Sequence, residues 1–563
     1  MGKIDWNAYT STDTPNAGRL WWGWGTVKGF LAARQASDED YIFIPPTVDE
    51  ISLRPSRLSP EKLPASIRKI CSDNKFERLF HARGCDMIDI NLNVHGKVEE
   101  PPDLIAFPEN EQEIKDLLQF CSKTNISCVP FGGGTSVVQG VNTPSDKLGF
   151  LGVIVLDMCK MNKVLEIDEV SKCAKVQGGI YGPALEKHLK QHGNLTFRYF
   201  PQSFEFSTVG GWLATRGGGH FATFYQHVDD LVESLTIVTP VGVSKTRRLP
   251  GSGAGPSEYR MYLGSEGTLG VISEAWIRIR QRPTIRANAT VVFDGDTSRD
   301  GFLLGAEAVR KISQSGVYPS NCRLVDGKEM VLMTQMTDYA SSSVLILAFE
   351  SDQRENLDTD MNHVLSLCRG LGGRVQNDGN VWTKSTKGGE RNGVAGAWGK
   401  GFMAGGYIAA EAVLRGLLTN TFETAITWDK FPAFYKAVNS AVDALFEKQN
   451  NNGFGQFTCR FTHVYPDGPA PYFTFVSGGD ISLNGEDNRI TQWMEVKNAV
   501  TNVMIEYGAT STHHHAVGRL HRRHYDVENG KLYKQSLSAL KTVHDPAWIM
   551  NPEVLLDHPK SSL

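Results

Sequence analysis

The clearest periodicity of apolar and polar positions begins near residue 100. DLIAFPE, residues 103–109, reads as a strand. In the next segment Ile114, Leu117, Leu118 and Cys121 recur at the spacing of one helix face. Asn110 suits the N-cap of that helix, and Glu113 three residues on completes the signature of a capping box. ISCVPFGGGTSVV then reads as a second strand that breaks into a glycine turn, giving a β-α-β unit. Strand-like runs continue to residue 283 as GVIVLDM, KCAKVQGG, LVESLTIVTP and LGVISEAWIRIR, with one short helix, GPALEKHLKQHG. The pattern resets at residue 284. Strands (ATVVFD, SVLILAFE, YFTFV) and helices (RENLDTDMNHVLSLCRGLG, FPAFYKAVNSAVDALFEKQ) now mix up to residue 510. The expected fold class is α+β. The expected organisation is a mostly helical segment 1–95, one domain at 96–283, a second at 284–510 and a C-terminal segment 511–563.

At 563 residues the chain is too long for a single hydrophobic core. A net charge of -4 offers no basic surface for nucleic acid. Nine scattered cysteines, with no CxxC pair and no signal peptide, predict reduced thiols inside a cell. The most membrane-like stretch, GFMAGGYIAAEAVLRGLL, carries Glu411 and Arg415 and fails as a span. Trp21, Trp22 and Trp24 suit either a membrane interface or packing against the body of the protein, and packing is the commoner outcome. The final SSL matches a peroxisomal S-K-L address at its first and last positions. The competing reading is a frayed terminus on a cytoplasmic protein.

Three glycine-rich segments carry the first chemical signal. PFGGGTSVVQGV follows a strand, so its backbone N–H groups and two hydroxyls can converge on a phosphate. It is neither a Walker loop, lacking GK[ST], nor a dinucleotide fingerprint, lacking a following helix. PQSFEFSTVGGWLATRGGG and GSEGTLGVI repeat the composition. Three such turns favour one long flavin dinucleotide over three unrelated bends. The second signal is STHHHAVGRLHRRH. Neutral imidazoles can take or give a proton near pH 7. A metal is the poorer reading, since no cysteine or HExxH partner accompanies the run.

The combination of GWG, ERLFHARG, PFGGGTSVV, FEFSTVGGW, LGSEGTLGVI, CRLVD, TFETAITWDK, FTCRFT and STHHHAVGRL resembles the alkyldihydroxyacetonephosphate synthase family, within the vanillyl-alcohol oxidase type of FAD-binding fold. The resemblance spans about residues 20–556. It implies an FAD domain at 96–283, a substrate-binding cap at 284–510, and a C-terminal segment that returns to the active site. It implies noncovalent FAD, no metal, and a phosphate cradle of Pro130, Phe131, Gly132, Gly133, Gly134, Thr135 and Ser136. The rest of the flavin would be lined by Gln202, Ser203, Phe204, Glu205, Phe206, Ser207 and Thr208, by Thr215, Arg216, Gly217 and Gly218, and by Glu266, Gly267, Thr268, Leu269, Gly270, Val271 and Ile272. The family exchanges the acyl chain of acyl-dihydroxyacetone phosphate for a long-chain fatty alcohol, without net redox and through an adduct at flavin N5.

The same resemblance assigns His513, His514 and His515 to proton transfer and phosphate contacts. It makes Tyr472 a catalytic acid or base, and Arg323 a stabiliser of charge on the flavin. Lys430 stands where the family's WDR motif has a substrate-binding arginine, and Tyr199 where the family has a histidine; both changes fall near the pocket. The alternative function is an FAD-dependent oxidoreductase of a D-2-hydroxy acid or alcohol. A homodimer and peripheral membrane contact stay open.

Overall fold

The computed structural model describes residues 4–225, 227–354, 357–376, 383–385, 393–449, 455–481 and 487–559, so the SSL end lies outside the described residues. Residues 4–95 form short helical pieces, among them α1 (Val27–Ala33) and α2 (Met87–Val94). Trp21 and Trp22 are packed inside, 2% and 0% exposed, so neither is placed as an interfacial aromatic.

The β-α-β unit is present. β1 (Cys71–Ser72) runs antiparallel to β2 (Leu104–Ala106); α3 (Glu111–Thr124) leads into β3 (Ile126–Phe131), and β4 (Gly152–Asp157) lies parallel between β2 and β3. Ile114, Leu117, Leu118 and Cys121 are fully buried. The Asn110 side chain accepts the Glu113 N–H at 3.0 Å, but the reciprocal half of the capping box is not made. The Glu113 carboxylate instead accepts from the Glu109 N–H and pairs with Lys69 at 2.7 Å, which holds it one residue earlier.

A second, antiparallel sheet contains β5 (Val164–Asp168), β6 (Cys173–Gln177), β7 (Val232–Thr239), β8 (Gly242–Lys245) and β9 (Val271–Arg278), in spatial order β5-β6-β9-β7-β8. α4 (Gly182–Gly193) and α5 (Val209–Thr215) bury Leu185, Leu189, Trp212 and Leu213 against it.

From Ile285 onward an eight-stranded antiparallel sheet takes over. Its strands are β10 (Ile285–Asp294), β11 (Asn321–Asp326), β12 (Ser342–Ser351), β13 (Arg374–Val375), β14 (Thr383–Ser385), β15 (Leu417–Glu423), β16 (Gly455–Val464) and β17 (Pro469–Gly478). The spatial order is β13-β10-β12-β11-β16-β17-β15, with β14 also on β10. Alternation decides which side chains face where. Phe422, Phe473 and Phe475 point to the core built with α6 (Ser298–Ser313), α7 (Asp358–Arg369), α9 (Phe431–Gln449) and α10 (Arg489–Tyr507). On the other face Val325 and Ile346 meet Trp398 and Phe402 of α8 (Gly393–Leu414). No helix among the described residues is long and apolar enough to cross a membrane.

The chain then returns to the first sheet. After α11 (Lys531–His544), Met550 forms a parallel bridge with Cys128 of β3. Buried Lys541 fastens this return by donating to the carbonyls of Thr268 and Met550 and to Asp545.

Candidate active site

One cavity of about 580 Å³ runs through all of these units. At one end lie Pro130, Phe131, Gly132, Gly133, Gly134, Thr135 and Ser136, the turn after β3. Gln202, Ser203, Ser207, Thr208, Thr215, Gly217 and Gly218 continue the wall, with Glu266, Gly267, Gly270, Val271 and Ile272. Arg323, Tyr472, His514 and His515 line it as well. The lining also includes an apolar arm of Trp24, Ile408, Ala412 and Val476, together with Gln35 and exposed Arg415.

The cradle fits a flavin dinucleotide. A Cβ at Gly133 would sit 1.5 Å from the Phe206 carbonyl oxygen, and one at Gly132 2.4 Å from Thr208 Oγ1. Only glycines let the turn approach so closely and leave its backbone donors toward the ligand. The buried Tyr199 hydroxyl lines the same cavity and has no partner among the described residues. The volume falls within the usual range of ligand sites, roughly 300–1,000 Å³.

Six of the expected cofactor residues lie elsewhere. Phe204 stacks beside Phe200 and Trp212, Glu205 is exposed, and Phe206 lies under the Arg19 guanidinium. Arg216 takes the left-handed C-cap of α5 and turns outward to pair with Asp229 at 2.6 Å. The Thr268 hydroxyl donates to Ser265 and its carbonyl accepts from Lys541, while Leu269 is in the core.

The catalytic candidates converge because strands of the large sheet are in register. Tyr472 of β17 pairs with Arg460 of β16 on one side and with Glu423 of β15 on the other. All three point toward the cavity side. The Arg460 guanidinium lies 3.8 Å from the centre of the Tyr472 ring. Burial pushes the Tyr472 hydroxyl's pKa up, and Arg460 opposes that shift. Arg323, 1% exposed, lies over Phe402. His514 is nearly parallel to the Tyr472 ring at 5.7 Å between centres, and His515 meets it edge-on at 5.4 Å.

His513 stands behind the cavity wall, within hydrogen-bond distance of Tyr465 (2.8 Å) and His514 (3.1 Å). Burial, then the neighbouring His514, holds the His513 ring well below its usual pKa and brings His515 to about 3. Both are therefore neutral at pH 7. Lys430 is not part of this group. It is exposed just ahead of α9, and its ammonium donates to the Tyr507 carbonyl at 3.3 Å.

Several residues of the site carry no signal of their own in the sequence. His463 donates from Nε2 to the Gly219 carbonyl at 2.8 Å, accepts at Nδ1 from Thr462, and comes within 4.8 Å of the His513 ring centre. The triplet thus has a histidine neighbour after all, brought from β16, and nitrogens of His463, His513 and His514 lie within 4.8 Å of one another. Glu423 and Arg460 sit inside quoted motifs, TFETAITWDK and FTCRFT, but only strand register gives them a place.

The FAD binding domain family matches residues 102–246, and the FAD linked oxidases C-terminal domain matches 300–555. Alkyldihydroxyacetonephosphate synthase of Caenorhabditis elegans is 30% identical over 496 residues, covering 85% of this chain and 80% of the relative. The protein of the same name from Dictyostelium discoideum is 27% identical over 567 residues, covering 94% and 87%. A solved structure of an alkyldihydroxyacetonephosphate synthase aligns with a TM-score of 0.74 over 95% of this chain and 99% of its own, at 23% identity, which speaks to the fold. The α+β FAD-binding fold and FAD as its cofactor are borne out.

Proposed function

We propose, since this chain belongs to the alkyldihydroxyacetonephosphate synthase family of FAD enzymes, that it makes ether lipids by exchanging the acyl chain of acyl-dihydroxyacetone phosphate for a long-chain alcohol. One observation carries this reading: the glycine cradle, the tyrosine–histidine–arginine cluster and an apolar arm share a single buried cavity.

Each part has a use. The cradle holds FAD, which when bound supplies an electrophile for the substrate carbon. The imidazole of His515 or His514 takes the C1 proton, and the Tyr472 hydroxyl gives or holds a proton at the departing oxygen. Arg323 stabilises charge on the flavin, and Arg460 provides a positive charge for the substrate where Lys430 had been the candidate. The apolar arm takes the alkyl chain and keeps water from the reacting carbon.

The test is a spectrum of the purified protein, followed by palmitoyl-dihydroxyacetone phosphate and hexadecanol. The expected result is a yellow protein that releases palmitate and forms the ether. His515→Ala and Tyr472→Phe should each cut turnover by about 10²–10⁴-fold with the flavin bands intact. A flavin that ignores the lipid but is bleached by a D-2-hydroxy acid would replace this reading with the oxidoreductase.

A further inference from the structure

Glu423 is a buried carboxylate, 2% exposed, for which the proposed chemistry has no use. Its two oxygens accept from the backbone N–H groups of His513 (2.6 Å), His514 (3.1 Å) and His515 (3.0 Å) and from the Thr512 hydroxyl. Consecutive N–H groups converging on one anion form a nest. Here the anion is the protein's own side chain rather than a ligand.

The histidine run has no regular structure of its own to satisfy those donors. Glu423, in contrast, ends β15 in a wide sheet and stands opposite Tyr472 in the ladder. We propose that Glu423 is a positioning residue: by gripping the backbone of the histidine run it fixes the His514 and His515 rings against Tyr472. A second buried carboxylate secures the run farther on, since Glu266 accepts from the Val517 and Gly518 N–H groups at 2.9 and 2.8 Å. The run is thus held by one carboxylate from each of the two large sheets' domains, and Glu423 holds the end that carries the rings. The effect on turnover rests on the acid–base use of those rings proposed above; the effect on ring placement rests on geometry alone.

The charged and titratable groups facing Glu423 are the three histidines, Tyr472 with Arg460 behind it, Lys497 of α10, and His521. His521 donates from Nδ1 to the Ala516 carbonyl and accepts from Lys497 at 2.7 Å. The test therefore compares holoenzymes that differ only at the nest. Glu423→Gln keeps the size but puts a donor against donors. It should lower kcat by about 10²-fold, the cost of an ångström of misplacement, while KM barely moves and the flavin spectrum stays.

In ¹⁵N-histidine spectra the His514 and His515 signals should shift, while exposed His188 and His192 do not change. Glu423→Asp, which keeps the charge, should recover part of both effects. Unmoved His514 and His515 signals in the Gln variant would overturn the proposal, whatever substrate the enzyme proves to use. If that variant loses its flavin, Thr512→Val removes one donor in its place. It should shift the same two signals less, and a wild-type spectrum would then be the refutation.

Discussion

At the scale of single residues, the two cationic candidates separate by position. Lys430 has a family role to inherit, yet it is exposed and bonded to a carbonyl outside the cavity. Arg460 is 1% exposed, lines the cavity and is paired with Glu329. Lys430→Ala should leave KM for the phosphate substrate unchanged, whereas Arg460→Met should raise it and destabilise the fold by roughly 3–5 kcal/mol, because Glu329 then keeps an unpaired buried charge. Steady-state kinetics and urea melts on the two variants decide this. The histidines were legible because a run of three is rare and chemically distinct. Arg460 and Glu423 were not, because strand residues gain neighbours only when pairing register is known.

At the scale of elements, local pattern was a good guide where one face repeats. The β-α-β unit and α9 lie where periodicity put them, since their buried positions recur at helical spacing. α8 was seen only as a failed membrane span. Its glycines explain both the apolar look and the true place. A Cβ at Gly401 would strike the Met333 carbonyl at 2.3 Å, and one at Gly406 the Trp24 ring at 2.5 Å. The helix therefore lies close against the cavity wall with no single polar face to announce it. α5 was hidden for a related reason, as FEFSTVGGW has the composition of a turn. Close approach also sets the prediction at this scale. Gly133→Ala should open the cradle by displacing the Phe206 backbone, and the purified variant should lack the flavin absorbance bands that Gly253→Ala, with open space around it and no left-handed backbone, retains.

At the scale of the molecule, the change of pattern at 284 falls beside the start of the large sheet at Ile285, but the groups that tie distant segments together were not visible. Asp487 is one of them. It accepts from His95 at 2.7 Å and Asn91 at 2.9 Å on the α2 side, and from Arg489 of α10. Burial works against its charge, but His95, Arg489 and Asn91 outweigh that and hold its carboxyl far below the usual range. Its stabilising effect is thus full above the unfolded value of about 3.9 and fades as pH falls toward the folded value. Asp487→Asn should cost roughly 3 kcal/mol in urea melts at pH 7, and the gap from wild type should narrow at pH 3. The bridge between Met550 and Cys128 has a different consequence, for how the protein is made. Ser127 and Ile549, bonded beside it, are 422 residues apart. A ribosome delivers one side of the cradle long before the other, and the histidine run emerges with the later side. Nascent chains stalled before residue 509 should therefore hold no flavin, and capture of the cofactor should begin only once the histidine run has emerged.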